Sequence, residues 1–174
     1  DNDEVGLMAA TKIRQKGYTE AAIFASRHSY FATSQRVQAF ISSCERLGIE
    51  TDEKYILKGS STRNGGYEIG KQYAALKEPP KMIFCDSDAI ALGALRAFHE
   101  EGISVPGDAE LLSIGMLDPE AASYYVPSLS VVEMPNKEIG QQVLRLMRKK
   151  VLNNDISSEH VKVHAKLMLR ESFS

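Results

Sequence analysis

The sequence predicts an α/β fold, a doubly wound and largely parallel sheet with helices on both faces. Short apolar runs alternate along the chain with longer segments whose apolar residues recur at helical spacing. Glycine and proline residues separate many of these segments. A chain of 174 residues with 43% hydrophobic residues can form one good-sized core, so we expect one compact domain.

Four short apolar runs predict the main strands, because runs of this length favour a buried strand over a helix. They are residues 21–25 (AAIFA), 54–59 (KYILKG), 81–85 (KMIFC) and 109–115 (AELLSIG). The run 129–134 (LSVVEM) is predicted to be extended, and 160–172 (HVKVHAKLMLRES) to contain strand-like segments. Helical segments of about 10–15 residues between the strands predict parallel pairing.

Helices are predicted between the strands from the spacing of their apolar residues. The first runs from about residue 4 to residue 16, where acidic residues lead and Lys16 and Gly17 close the segment. The others are predicted at 34–48, 67–76, 88–101 and 136–152. The run 65–70 (GGYEIG) is predicted to be a turn from a loop into a helix.

Composition excludes several classes of protein. The net charge of −2, with both signs interspersed, provides no basic surface for nucleic acid. No apolar run reaches the roughly 18–20 residues of a membrane span and no signal peptide opens the chain, so no membrane partner is expected. Cys44 and Cys85 are predicted to be reduced thiols of a cytoplasmic protein. The chain opens with DNDEVG and no initiator methionine, so we expect a fragment.

No catalytic, metal or cofactor site is predicted. The four histidines lack the spacing of metal ligands, and no Ser/His/Asp or Cys/His set can be assembled. Neither G-x-G-x-x-G nor G-x-x-x-x-G-K-[ST] occurs, so dinucleotide and nucleoside-triphosphate sites lose their main support. We therefore expect a binding protein that is not an enzyme and needs no cofactor.

Ligands of doubly wound sheets bind beyond the carboxyl ends of the strands. That rule selects the loops 26–33, 60–64, 86–88 and 116–118. In the third loop Asp86, Ser87 and Asp88 stand between a strand and a helix, where they could cap the helix or bind a ligand. Capping alone does not need all three, so one of them is expected to face the cleft.

Arg36 lies early in the second predicted helix, where a cation opposes the positive end of the helix dipole. That placement suggests a role outside the helix, with the guanidinium presenting a planar set of donors to hydroxyl pairs or a carboxylate. The alternative is an arginine on a solvated surface.

The segment FCDSDAIALGALRAFHEEGISVPGDAELLSIGM closely resembles the effector-binding core of the LacI/GalR family of bacterial transcription regulators. The family pattern is a strand, ND or SD, then ALGALRAL, G..VP.D and a strand ending VGFDD. Further similarities are YYVPSLSVVEMPNKEIGQQVLRLM, the closing LRES and the opening DNDEVGLMAATKIRQKGYTEAAIF. The resemblance covers essentially the whole chain and is most specific in its middle third.

The resemblance implies a periplasmic-binding-protein-like fold of type I, in which two α/β lobes close on a small ligand. Family members are usually homodimers that bind operator DNA through an N-terminal helix-turn-helix, which is absent from this chain. Residues 1–131 would then form the C-terminal lobe, 132–160 a helix returning to the N-terminal lobe, and 161–174 the C-terminal crossover and tail.

The same resemblance assigns site residues. Arg36 matches a cleft arginine that donates to effector hydroxyls. Ser87 stands where many sugar-responsive members have asparagine, and Asp88 matches an aspartate that supports the helix. Together with Asp86, these residues look like a ligand loop that also starts a helix.

Four further positions fall in the implied pocket. Ala32 and Ser61 are pocket positions, and at Ser61 some members carry an aromatic ring that stacks on the sugar. Leu117 stands where the family has an acid or amide that grips the effector, while Asp118 is kept. These departures suggest a different or lost effector.

Two apolar surfaces are also implied. Leu92, Leu95 and Tyr125 match the dimer seam of the family, where a self-complementary contact suits a two-fold axis. The alternative for Leu92 is packing on its own sheet. The helix 136–152 carries an apolar stripe whose usual sheet is missing, so the stripe needs another partner. The stripe comprises Ile139, Val143, Leu144 and Met147.

The predicted function is that of a non-catalytic regulator part that binds a small polar effector, a sugar or sugar derivative. A sugar-binding protein of an ABC transporter is one alternative; it would be exported and would need no dimer seam. A flavodoxin-like enzyme is a more distant alternative, which would need a catalytic constellation or a phosphate loop.

Overall fold

The computed structural model describes residues 1–27, 31–115, 120–152 and 159–173. The helices are α1 (Asn2–Gln15), α2 (Phe31–Leu47), α3 (Arg63–Ala74), α4 (Asp88–Glu101), α5 (Ala121–Tyr124) and α6 (Asn136–Leu152). The strands are β1 (Ala22–Ser26), β2 (Ile56–Gly59), β3 (Met82–Cys85), β4 (Glu110–Gly115), β5 (Ser130–Glu133) and β6 (Lys166–Met168). Short 3₁₀ turns occur at Glu53–Tyr55 and Glu171–Phe173.

The six strands form one sheet in the order β2-β1-β3-β4-β5-β6. The pairings from β2 to β5 are all parallel, and β6 joins the edge antiparallel to β5. The predicted α/β class and the largely parallel sheet are therefore confirmed. Strand order reverses beside β1, so the carboxyl ends of β1 and β3 flank the switch point where ligands of such sheets bind.

Helices cover both faces of this sheet, and each face has its own apolar core. Ile23 and Phe84 pack with α1 and α2 on one face, and the stacked rings of Phe40 and Phe84 lie 3.9 Å apart. Phe24 packs with α3 and α4 on the other face, with its ring 5.5 Å from that of Tyr73. Because neighbouring residues of each strand are buried on opposite faces, the strands read as continuous apolar runs.

The helix predicted from about residue 67 begins four residues earlier, at Arg63, so the prediction of a loop-to-helix turn around Gly65 is wrong. Thr62 caps α3 by accepting a 3.1 Å hydrogen bond from the Gly65 N–H, so Gly65 and Gly66 lie inside the helix. For Gly66 the reason is the close crossing of α3 and α4, since a Cβ there would lie 2.1 Å from the Ile90 carbonyl oxygen. For Gly65 the reason is the close approach to Ser60, whose carbonyl oxygen would lie 2.0 Å from a Cβ. Close backbone approach therefore outweighs the low helix propensity of glycine.

The last described residues are tied into the sheet. Ser172 accepts a hydrogen bond from the Ser130 N–H and donates one to the Leu111 carbonyl, each at 2.8 Å. Phe173 is fully buried in the core beneath α1. The segment 166–173 is thus a structural part of this sheet, although only three residues of the predicted strand-like run form a strand.

Helix α6 has no buried residue. Its predicted apolar stripe is exposed, with Leu144 at 68% and Met147 at 57% of full exposure. Val151 and Leu152 extend the apolar exposure to the end of the helix. Within the described residues, no helix has the length and apolar character needed to span a bilayer.

Candidate effector site at the carboxyl ends of strands β1 and β3

The candidate site begins where β1 and β3 end side by side. The parallel register pairs Phe24 with Cys85, which brings the following residues Ser26 and Asp86 together. The Asp86 N–H donates to the Phe24 carbonyl at 3.0 Å, and the Ser26 N–H donates to Asp86 Oδ2 at 2.6 Å. Asp86 therefore accepts a backbone donor from the neighbouring strand and lies within the strand layer.

Both side chains keep a polar atom without a hydrogen-bond partner among the described residues. These atoms are Asp86 Oδ1 and Ser26 Oγ, on residues that are 0% and 6% exposed. A buried acceptor or donor without a partner costs about 1–3 kcal/mol. Folded proteins rarely retain such groups unless a water, ion or ligand satisfies them.

Arg36 is the cation of this site. It is 5% exposed, and its Nη2 donates to Thr33 Oγ1 at 3.1 Å. Burial lowers the pKa of the Arg36 guanidinium from its ordinary value, while the Asp86 carboxylate acts in the opposite direction. The guanidinium and the carboxylate of Asp86 thus interact electrostatically in a buried position.

Two expectations for Arg36 need correction. The alternative of a solvated surface arginine is wrong, because Arg36 is buried. The argument from the helix dipole also fails, because α2 begins at Phe31 and Arg36 therefore lies beyond its first turn. The sequence predicts a start at Ser34, and the earlier start in the structure removes the unfavourable placement.

The three residues after β3 have separate roles. Ser87 is the N-cap of α4 and its side chain accepts from the Ile90 N–H at 3.5 Å. Asp88 lies in the first turn of α4, where its charge complements the helix dipole. Asp86 takes no part in this cap. It is the member of the trio that the strand register directs toward β1.

Four further residues are predicted to line the pocket, and the structure describes two of them. Ala32 is exposed in the first turn of α2, and Ser61 is exposed in the loop between β2 and α3. Leu117 and Asp118 lie outside the described residues. Their assignment to the pocket stays a prediction.

The residues predicted for a dimer seam are half-buried within this chain. Leu95 and Tyr125 pack against the apolar cluster beneath α3 and α4. Leu92 is also half-buried. The seam stays a prediction, and each of these side chains has surface left for a further contact.

Ser26 was missing from the predicted site residues. It is the last residue of an apolar run, and its importance depends on the register between β1 and β3. The signal that could have revealed it was its place one step beyond AAIFA, at the same edge as Asp86. Within the described ranges, no His, Cys, Asp and Glu side chains gather in a group that could hold a metal ion.

Comparison with known proteins identifies the family. Residues 10–173 match the family described as periplasmic binding protein-like domain. The HTH-type transcriptional repressor PurR of Mannheimia succiniciproducens is 27% identical over 169 residues, covering 97% of this chain and 50% of the repressor. PurR of Proteus mirabilis is 26% identical over 167 residues, covering 96% of this chain and 48% of the repressor. The chain thus spans about half the length of the curated relatives it matches.

A solved structure agrees with these matches. A LacI family transcription regulator from Clostridium acetobutylicum superposes with a TM-score of 0.91 and 30% identity, covering 98% of this chain and 63% of that one. These relatives are transcription regulators, and none of them is described as an enzyme or a transport protein. The resemblance to LacI/GalR regulators is confirmed, and the chain belongs to the periplasmic binding protein-like domain family, in the form that LacI-family regulators carry.

Proposed function

We propose that this chain is the effector-sensing part of a cytoplasmic transcription regulator. A small polar molecule binds beyond the carboxyl ends of β1 and β3, and its binding changes the affinity of the whole protein for operator DNA. DNA is contacted through residues outside this chain. The observation that carries the proposal is the buried polar cluster of Ser26, Arg36 and Asp86 in a chain whose relatives are repressors.

The cluster supports a sugar or sugar derivative as the effector. Arg36 supplies donors only, Asp86 supplies acceptors only, and the Ser26 hydroxyl can do both. Hydroxyl groups of a sugar also donate and accept, so adjacent hydroxyls can satisfy a guanidinium and a carboxylate at once. No group of this cluster is proposed to act as a nucleophile or a general base, so the function is binding without catalysis.

The proposal extends to two apolar surfaces. The stripe of α6 is covered by another part of the full-length protein, because an exposed apolar stripe of this size is unfavourable in water. Leu92, Leu95 and Tyr125 contribute to a homodimer seam, for which sedimentation of Leu92→Asp is the direct test. The transporter alternative finds no support in the relatives, which are repressors.

The test is calorimetric titration of the full-length protein with mono- and disaccharides and their phosphates, followed by operator binding with the hit. We expect saturable binding that Arg36→Ala weakens strongly. Arg46→Ala is the matched control, since Arg46 lies on the same helix and donates to Ser43 Oγ at 3.1 Å, away from Asp86. Thermal melts of both variants separate lost binding from lost folding.

Two results would oppose the proposal. Equal affinity in Arg36→Ala and the parent protein would place the effector elsewhere. Absence of binding across the panel, with operator affinity unchanged by every compound, would oppose an effector sensor of this class.

A further inference from the structure

The buried pair Ser26 and Asp86 carries an inference about which effectors the site selects, and the inference rests on the proposed function. A cap for α4 does not explain Asp86, because Ser87 supplies that cap. Among the described residues, one carboxylate oxygen of Asp86 has a hydrogen-bond partner, the Ser26 N–H. The other oxygen is buried and has no hydrogen-bond partner among the described residues.

Asp86 and Ser26 share one edge of the sheet. Asp86 follows directly on β3 and Ser26 ends β1, so both lie at the sheet edge where ligands of this architecture bind. Ser26 Oγ is a second buried atom without a described partner, contributed by the adjacent strand. Neighbouring strand ends thus contribute two buried atoms that can accept a hydrogen bond, a carboxylate oxygen and a hydroxyl oxygen.

The negative charge of Asp86 argues against the simplest expectation for Arg36, which is that it binds an anion. A buried arginine alone would favour an anionic ligand, such as a phosphate or carboxylate. Asp86 interacts electrostatically with that arginine and compensates its charge. A ligand anion placed here would also face the carboxylate of Asp86, and like charges repel strongly at a buried site.

We propose that Asp86, with Ser26, is the specificity-determining acceptor of the effector site, and that it selects ligands that present a hydroxyl or amine donor over ligands that present a phosphate or carboxylate. Arg36 then binds acceptor atoms of the same ligand. The effector class is accordingly a neutral or amino-bearing polyol, unphosphorylated at the position that meets Asp86.

The experiment uses the full-length protein and pairs of neutral and anionic probes. The probes are D-ribose with D-ribose 5-phosphate, D-glucose with D-glucose 6-phosphate, and D-glucosamine with D-glucosamine 6-phosphate. Calorimetry gives the dissociation constant of each probe. We expect a neutral or amino probe to bind at least about tenfold more tightly than its phosphate, because the phosphate is repelled by the Asp86 carboxylate and lacks the donor that Asp86 accepts.

The central variant is Asp86→Asn. Its amide oxygen can still accept the Ser26 N–H, while its NH₂ replaces the open oxygen with a donor. We expect roughly ten- to hundredfold weaker binding of the neutral probe and a reduced preference over the phosphate. Ser26→Ala removes the second group and should weaken the same probe by a smaller factor. Asp52→Asn is the matched control, since Asp52 is a helix cap that precedes β2, at the amino edge of the sheet.

The outcomes separate this inference from the proposed function. Tighter binding of a phosphate than of its neutral partner overturns the inference and leaves an effector sensor in place. The inference is also overturned, and the effector sensor stays in place, if Asp86→Asn binds the probe as tightly as the parent protein. This reading requires that Asp86→Asn melts like the parent and that Arg36→Ala loses binding. If Asp86→Asn does not fold, an unchanged affinity in Ser26→Ala overturns the acceptor pair. Failure of every probe to bind or to alter operator affinity overturns both.

Discussion

The backbone N–H of Ser26 donates a 2.6 Å hydrogen bond to Asp86 Oδ2, and this bond joins the carboxyl ends of two neighbouring parallel strands. The aspartate is therefore oriented by the sheet and not by the helix that follows it. In the proposed site, its second oxygen is therefore held in place before the effector binds. Preorganisation of this kind reduces the entropy lost on binding.

The N-cap of α4 should contribute measurably to stability. Ser87→Ala removes the acceptor for the Ile90 N–H and should lower the free energy of unfolding by about 0.5–1 kcal/mol, since the 3.5 Å bond is long for a cap. Urea denaturation measures the change. Ser87→Asp keeps a capping oxygen and should restore the loss. A Ser87→Ala variant as stable as the parent would show that the cap contributes nothing.

The crossing of α3 and α4 should tolerate no added methyl group. A Cβ at Gly93 would lie 1.9 Å from the Arg63 carbonyl oxygen, so Gly93→Ala should destabilise by about 2 kcal/mol or more. A Cβ at Gly140 in α6 would meet no atom within 4 Å, so Gly140→Ala is the matched control. There we expect stabilisation by about 0.5–1 kcal/mol. Chemical denaturation should therefore give a lower free energy of unfolding for Gly93→Ala and a higher one for Gly140→Ala than for the parent protein.

Stability should fall in the alkaline range because of Tyr18. Burial, and then the charge of Glu110, raise the pKa of Tyr18 to about 12 from an ordinary value of 10.0. The unfolded chain therefore releases the tyrosine proton first, and stability falls as pH rises from 10 toward 12. Tyr18→Phe should show a shallower fall. Spectrophotometric titration should show a lower Tyr18 pKa in Glu110→Gln.

Tyr73 contributes to the same range, because burial raises its pKa to about 12 as well. The Tyr18→Phe variant should consequently retain part of the alkaline loss. Tyr124→Phe, whose ring is 77% exposed, is the control for the substitution itself. An identical pH profile in parent and Tyr18→Phe would contradict the assignment.

Coverage of α6 in the full-length protein can be measured by placing a charge on its stripe. Leu144 is 68% exposed in this chain, so Leu144→Asp would cost little if the stripe stayed in water. If another part of the protein covers it, we expect a loss of at least about 2 kcal/mol. Gln141→Asp, at an exposed position of the same helix, makes the same change of charge and is the control. Equal stability of both variants would leave the stripe uncovered.

Sequence was most informative where burial decides the structure. The strands were predicted within two residues at β1 and β3, because strands covered on both faces leave uninterrupted apolar runs. The sequence was least informative where packing between helices decides the local structure. Gly65 and Gly66 indicate a turn by propensity, yet both lie inside α3, where Gly66 approaches the backbone of Ile90 in α4 and Gly65 approaches Ser60.

The candidate site divides in the same way. Residue type and position made Arg36 and Asp86 candidate site residues, because Asp86 follows a predicted strand and Arg36 lies early in a predicted helix. The burial of these two side chains could not be predicted, since it depends on how α2 packs across the strand ends. Ser26 required the parallel register between β1 and β3, which no local pattern specifies. The separate duties of Asp86 and Ser87 likewise became visible only in the hydrogen bonds.

The tie between Ser172 and the strands β4 and β5 has a consequence for biosynthesis. The hydroxyl of Ser172 joins residues that are 61 and 42 positions earlier in the chain. A ribosome making about 5–20 residues each second must release residues 166–168 before β6 can cover the edge of β5, and Ser172 before its two bonds can form. Until then β5 presents an unpaired edge to the cell, and closing it late limits how soon the nascent protein resists aggregation.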